Sequence, residues 1–168
     1  MKLRFGSIFV ILFAAFLLLP IFGCDKDSMF SENYFSLQIN SVVGEYEPQS
    51  VKVKNGITII AAVNENDAKT ESVVITVNGD REGEYKQVYD YKTGVSVKSC
   101  GLTYKISDKQ ASEDEPTYYT SYEGELIISE LDKANQLISG SYSFYTRALD
   151  NDTIIHRIKG EFLNIPYN

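Results

Sequence analysis

Tryptophan is absent from this chain, histidine occurs once, at His156, and cysteine twice, at Cys24 and Cys100. Each scarcity removes a class of chemistry. One histidine and two cysteines leave too few nitrogen and sulfur donors for a zinc site, so no metal is expected. His156 shares strand parity with Ile154, Ile158 and Phe162, which places it in or beside an apolar face rather than in a catalytic group. The missing tryptophan takes away the strongest aromatic platform for a sugar or a cation. Equally missing are Gly-x-Ser-x-Gly, His-Glu-x-x-His, Ser-x-x-Lys, a phosphate loop and a dinucleotide fingerprint. No catalytic residue and no cofactor is assigned, and the chain is expected not to be an enzyme. The 23 acidic residues leave a carboxylate-based hydrolase as the residual enzyme class, although nothing singles out a pair among them. Asp150, Asn151 and Asp152 lack the glycine and distal glutamate of a calcium loop and read as a turn.

Positive charge is also in deficit. The net charge is −7, which repels phosphate backbones and excludes nucleic acid as an expected partner.

Long apolar runs are scarce, with one conspicuous case, from Ile8 to Leu19, preceded by Lys2 and Arg4 and followed by Pro20. Twelve uninterrupted residues fall short of the about 20 needed to span a hydrocarbon core. A cleaved secretory signal is the first expectation, with an uncleaved anchor and plain secretion as alternatives. Ile21, Phe22, Gly23 and Cys24 end the segment and resemble a bacterial lipobox. A thiolate is the side-chain nucleophile suited to thioether formation with a diacylglyceryl group, and a small residue before it admits the peptidase. The expected organisation is a signal peptide over residues 1–23, cut between Gly23 and Cys24, a lipidated polar tether over 24–33, and a β domain over 34–168. Since Lys2 and Arg4 are the only charges before Cys24, the processed chain would be still more acidic. Acyl chains on Cys24, not a basic patch, would then hold it to a membrane. Lipidation of Cys24 leaves Cys100 without a partner, and Cys100 reads as a small buried apolar residue.

Beyond the tether, β-branched and aromatic residues come in short runs separated by turn chemistry. Nine strands are expected: YFSLQIN, QSVKVK, ITIIAAVN, SVVITVN, EYKQVYDY, GVSVKSCGLTYKIS, TYYTSYEGELIIS, QLISGSYSFYTRA and TIIHRIKGEFLNI. Asn55-Gly56 is the residue pair a tight hairpin turn wants. LDKANQ reads as a turn, with a short helix through Leu131, Ala134 and Leu137 as the alternative. In GVSVKSCGLTYKIS the apolar parity slips between Ser99 and Gly101, which predicts a β-bulge. Together these runs predict one antiparallel all-β domain of about eight or nine strands, a β-sandwich first and a flattened up-and-down barrel second.

The C-terminal half, with YEGELIISELDKANQLISGSYSF and a terminal IKGEFLNIPY, resembles a family of small Bacteroidetes-type surface lipoproteins whose β domain has no known function. Gly124, Gly140, Phe144, Gly160, Phe162, Pro166 and Tyr167 carry the resemblance. None is a catalytic group, so it implies fold and location and no active site. The implied location is the bacterial outer membrane, on the cell surface, with Asp25 and Asp27 similar to a surface-export signal.

Tyrosine, by contrast, is plentiful, at 12 residues. Tyr85, Tyr89 and Tyr91 share parity in one expected strand, and Tyr118 and Tyr122 in another. Rigid amphipathic rings on one face make a candidate binding face for a glycan or a protein. The structural alternative is that tyrosine simply covers a half-buried strand. Binding or adhesion at this face is the leading functional expectation, and a small barrel carrying an apolar ligand is the second.

Overall fold

The computed structural model describes residues 33–90, 92–109, 116–150 and 155–168. Its strands are β1 (Tyr34–Ile39), β2 (Val42–Glu45), β3 (Glu47–Lys54), β4 (Ile57–Glu65), β5 (Lys69–Val77), β6 (Gly83–Asp90), β7 (Val95–Lys98), β8 (Cys100–Asp108), β9 (Thr117–Asp132), β10 (Leu137–Ala148) and β11 (Ile155–Pro166). All nine expected runs form strands. Two more arise because Val42–Glu45 is a strand of its own and because the run around Ser99 divides in two.

The strands make a single antiparallel sheet in the order β2-β1-β11-β10-β9-β8-β5-β4-β3, with β6 on β9 and β7 on β6. Of the two arrangements expected, one curled sheet corresponds to the flattened barrel. Its closure comes from a bend. The two ends of the strand order, β2 and β3, are consecutive stretches of chain separated only by Tyr46. Tyr46 is buried, and its N–H donates to the Phe35 carbonyl at 2.8 Å. Beyond the bend β3 meets the residue that follows β11: Val53 N–H donates to Asn168 O at 3.2 Å, and Asn168 N–H to Val51 O at 3.1 Å. The sheet edges are thereby stitched into a seam, which leaves fewer strand edges open.

Alternation explains what fills the interior. In β5, Val73, Ile75 and Val77 point inward while Val74 and Thr76 point out. Phe35, Phe144, Phe162, Ile60, Leu126 and Ile158 meet them from the other walls, all essentially removed from solvent. Phe35 stacks on Phe162 at 6.4 Å and lies 5.7 Å from the Tyr142 ring. The middle of the barrel is therefore packed among the described residues, and the lumen that an apolar-ligand carrier needs is taken up by side chains.

Two turns show how local chemistry sets register. Asn55 and Gly56 both have positive φ, 57° and 75°, and form the expected two-residue turn between β3 and β4. That register pairs Lys54 with Ile57 and Lys52 with Ile59, and both isoleucines lie on the exposed face. Between β1 and β2 a second turn of this kind uses Asn40 and Ser41 at φ 47° and 80°. LDKANQ is a turn rather than a helix: the Asp132 carboxylate accepts from the N–H groups of Ala134 and Asn135 at 2.9 and 3.0 Å.

The parity slip at Ser99 is a change of partner, not the expected bulge. β7 pairs with β6, whereas β8 pairs with β5 and β9. β9 is long enough to hold β8 along its first half and β6 along its second, so the sheet forks there. A fork strands backbone groups that a regular ladder would satisfy. Buried side chains take them: Ser121 Oγ accepts from Leu102 N–H at 2.8 Å and donates to Gln87 Oε1 at 2.6 Å, and Gln87 Nε2 donates to Ser121 O at 3.0 Å.

Candidate functional site

The tyrosine face assembles on the strands that flank this fork. Between Tyr145–Glu123 and Thr146–Ser121 the β9–β10 register shifts, so Tyr122 is the extra residue of a bulge. A bulge re-aims its side chain. The Tyr122 ring meets the Tyr89 ring edge-on at 6.2 Å and lies 6.4 Å from the Tyr145 ring. Two guanidinium groups join the rings: Arg147 lies 5.5 Å from the Tyr122 centroid and 6.0 Å from that of Tyr89, and Arg157 lies 5.7 Å from that of Tyr145. Arg157 is placed by strand pairing, directly opposite Tyr145, and its Nε and Nη2 donate to Ser143 Oγ at 3.3 Å. Burial beside the other rings, and next the Glu123 charge, push the Tyr122 hydroxyl above the usual phenol range. The result is a set of rings and cations that offers flat apolar faces with hydrogen-bond donors at their edges.

The structure divides the five tyrosines of the expected face. Tyr89 and Tyr122 meet. Tyr85 packs toward the core over Gly79, and its hydroxyl donates to the Arg81 carbonyl at 2.7 Å. Tyr118 is exposed under the Lys105 ammonium, 5.7 Å from its ring centroid. Tyr91 lies outside the described residues, as do Gly23, Cys24, Asp25 and Asp27, the signal segment and most of the tether. Tyr145, Arg147 and Arg157 were missed by sequence reasoning. The signal was present: in SYSFYTRA the core parity belongs to Tyr142 and Phe144, which sends Tyr145 and Arg147 outward.

Cys100 is buried, and its thiol donates to the Tyr85 carbonyl at 3.1 Å. Burial pushes it up to about 11, so it is a neutral packing group at physiological pH. His156 packs edge-on against Tyr119 at 5.0 Å and shares a hydrogen bond with the Asn40 side chain at 2.8 Å. Among the described residues no three His, Cys, Asp or Glu side chains gather as a metal site requires.

A second constellation sits beside the exposed strand β2. Glu71 occupies an inward position of β5 and is only 8% exposed. Its Oε1 accepts from the Tyr104 hydroxyl and from Lys69 Nζ, the latter at 2.9 Å, and the Tyr46 hydroxyl joins the group. Burial pushes the Glu71 carboxyl up, but these donors outweigh it and hold the group below the usual carboxylate range. Burial and the neighbouring Glu71 drive both tyrosine hydroxyls well above the phenol range.

Neither a curated protein nor a solved structure matches this chain. A family model described as a domain of unknown function, DUF6252, matches residues 36–166, from β1 to the end of β11, and the chain belongs to that family.

Proposed function

We propose that the protein is a surface lipoprotein of the bacterial outer membrane, anchored by acyl chains on Cys24, whose β domain binds a glycan or a protein without catalysing a reaction. The anchor reading rests on the Gly23-Cys24 junction after a short apolar run, with Asp25 and Asp27 as the routing mark. One observation carries the binding reading: the Tyr89, Tyr122 and Tyr145 rings grouped with Arg147 and Arg157 on one face. Tyrosine and arginine concentrate binding energy: tyrosine buries large area with little rotamer loss, and the planar arginine fork stacks on rings and donates several hydrogen bonds.

The test has two arms. Cells fed a fatty-acid analogue should label the wild-type chain and not Cys24→Ala, and label on the variant overturns the anchor. A glycan and protein array probed with the soluble β domain should give a binder that Tyr122→Ala weakens about tenfold or more, the range of an aromatic hot spot. A binder indifferent to Tyr122→Ala and Arg147→Ala overturns the assignment of the face.

A further inference from the structure

Glu71 stands apart from the rest of its strand. β5 presents four inward positions, and Val73, Ile75 and Val77 fill three of them with aliphatic groups. A buried carboxylate in such a column needs donors that an apolar residue of similar volume does not. Buried carboxylates with dedicated donors at the floor of a cleft are a common mark of a binding site. A cleft is present. Leu37, Ile39, Val42 and Ile106 line an open cleft of about 360 Å³ together with Glu71, Tyr46, Tyr104 and Asn40. Val42, on strand β2, is 75% exposed. The chemistry that the carboxylate accepts is also visible. Lys69, an ammonium on a four-carbon stem, lies on the cleft wall and already reaches Glu71 Oε1. Its side chain is nearly half exposed, so the contact is of the weak, solvent-screened kind and is readily exchanged.

We infer that this cleft is a second binding site, separate from the tyrosine face, for a small free molecule carrying a primary ammonium on an aliphatic chain. The ammonium takes the place of Lys69 on the Glu71 carboxylate, and the aliphatic chain lies on Ile39, Val42 and Ile106. An anionic or neutral head is disfavoured, because the floor of the cleft is a carboxylate. A peptide carrying the same ammonium is the alternative source, which the lysine amide below distinguishes.

Hexylammonium, hexanol, hexanoate and an N-acetylated lysine amide serve as probes, each titrated into isotope-labelled β domain and followed by amide shifts. Hexylammonium should bind with shifts confined to the residues around Tyr46, Glu71 and Tyr104. Glu71→Gln should weaken it about tenfold, the loss of a charge-assisted contact. Lys69→Met, which keeps the stem and leaves the carboxylate in place, should tighten binding about threefold, the release of an exposed ion pair. This gain is a readout that a merely structural Glu71 would not produce, and it stands even if Glu71→Gln folds poorly. Hexanoate or hexanol binding as well as hexylammonium, the lysine amide binding more tightly, or unchanged affinity in Lys69→Met would each overturn the inference. None of these results bears on the tyrosine face.

Discussion

At the scale of single residues, Glu71 carries a consequence that acid titration can read. Its carboxyl is held below the usual range in the folded protein by Tyr104, Lys69 and Tyr46, against the upward push of burial. A depressed carboxyl pKa stabilises the fold above the unfolded value, and the contribution disappears as pH falls through the folded value. Unfolding free energy should therefore decline as pH drops below about 4.5, where unfolded glutamate begins to take up its proton. Glu71→Gln should flatten that part of the profile relative to wild type in parallel urea titrations. An unchanged slope would mean that other carboxylates govern the acid limb. Cys100 offers no such lever, because its thiol gains its raised pKa from burial beside the Tyr85 carbonyl and stays protonated across the same range.

Elements hold together here through close approach as much as through side-chain packing. A Cβ built on Gly160 would lie 2.0 Å from the Ser36 carbonyl oxygen and 2.7 Å from the Tyr142 hydroxyl. That oxygen belongs to β1, and the Tyr142 hydroxyl of β10 donates to it at 2.8 Å, reaching over β11 at Gly160. Gly160→Ala should push β1 away from β11 and cost about 3 kcal/mol, the upper part of the range for overpacking, measured as a shift in the urea midpoint. Gly140 is tight in the same way, with the Ile127 carbonyl 2.1 Å from a built Cβ. Both glycines are among the residues that carry the family resemblance, which was legible without knowing what they approached. The strands themselves were legible because alternation and turn chemistry agree, as at Asn55-Gly56. β2 was not, because its turn places Ser41 at φ 80°, a conformation that serine does not advertise. The tyrosine face was half legible for a similar reason. Parity says which side of a strand a ring takes, but Tyr85 lies four residues from Tyr89, roughly 13 Å along the strand, and packs over Gly79 instead. The bulge that turns Tyr122 toward Tyr145 depends on pairing, which no single strand reveals.

For the whole molecule, the seam decides integrity. The C-terminal residue supplies both backbone hydrogen bonds to β3, and Tyr167 packs on the core while its N–H donates to Gln136 O at 2.9 Å. Removing Tyr167 and Asn168 should cost roughly 2–4 kcal/mol, from about three backbone hydrogen bonds and one half-buried ring. Chemical denaturation of the shortened chain checks this, and an unchanged midpoint would show that the bend at Tyr46 closes the sheet unaided. The same seam has a kinetic side. β1 lies between β2 and β11, so the first strand made pairs on one flank only with the last. Phe35 is paired with Phe162, and the sequence separation across that pairing is nearly the length of the domain. Folding by such distant contacts is slow, in the millisecond-to-second range of all-β domains. A nascent chain would therefore remain open until its final strand is free, and closure of the barrel would be the last event of folding.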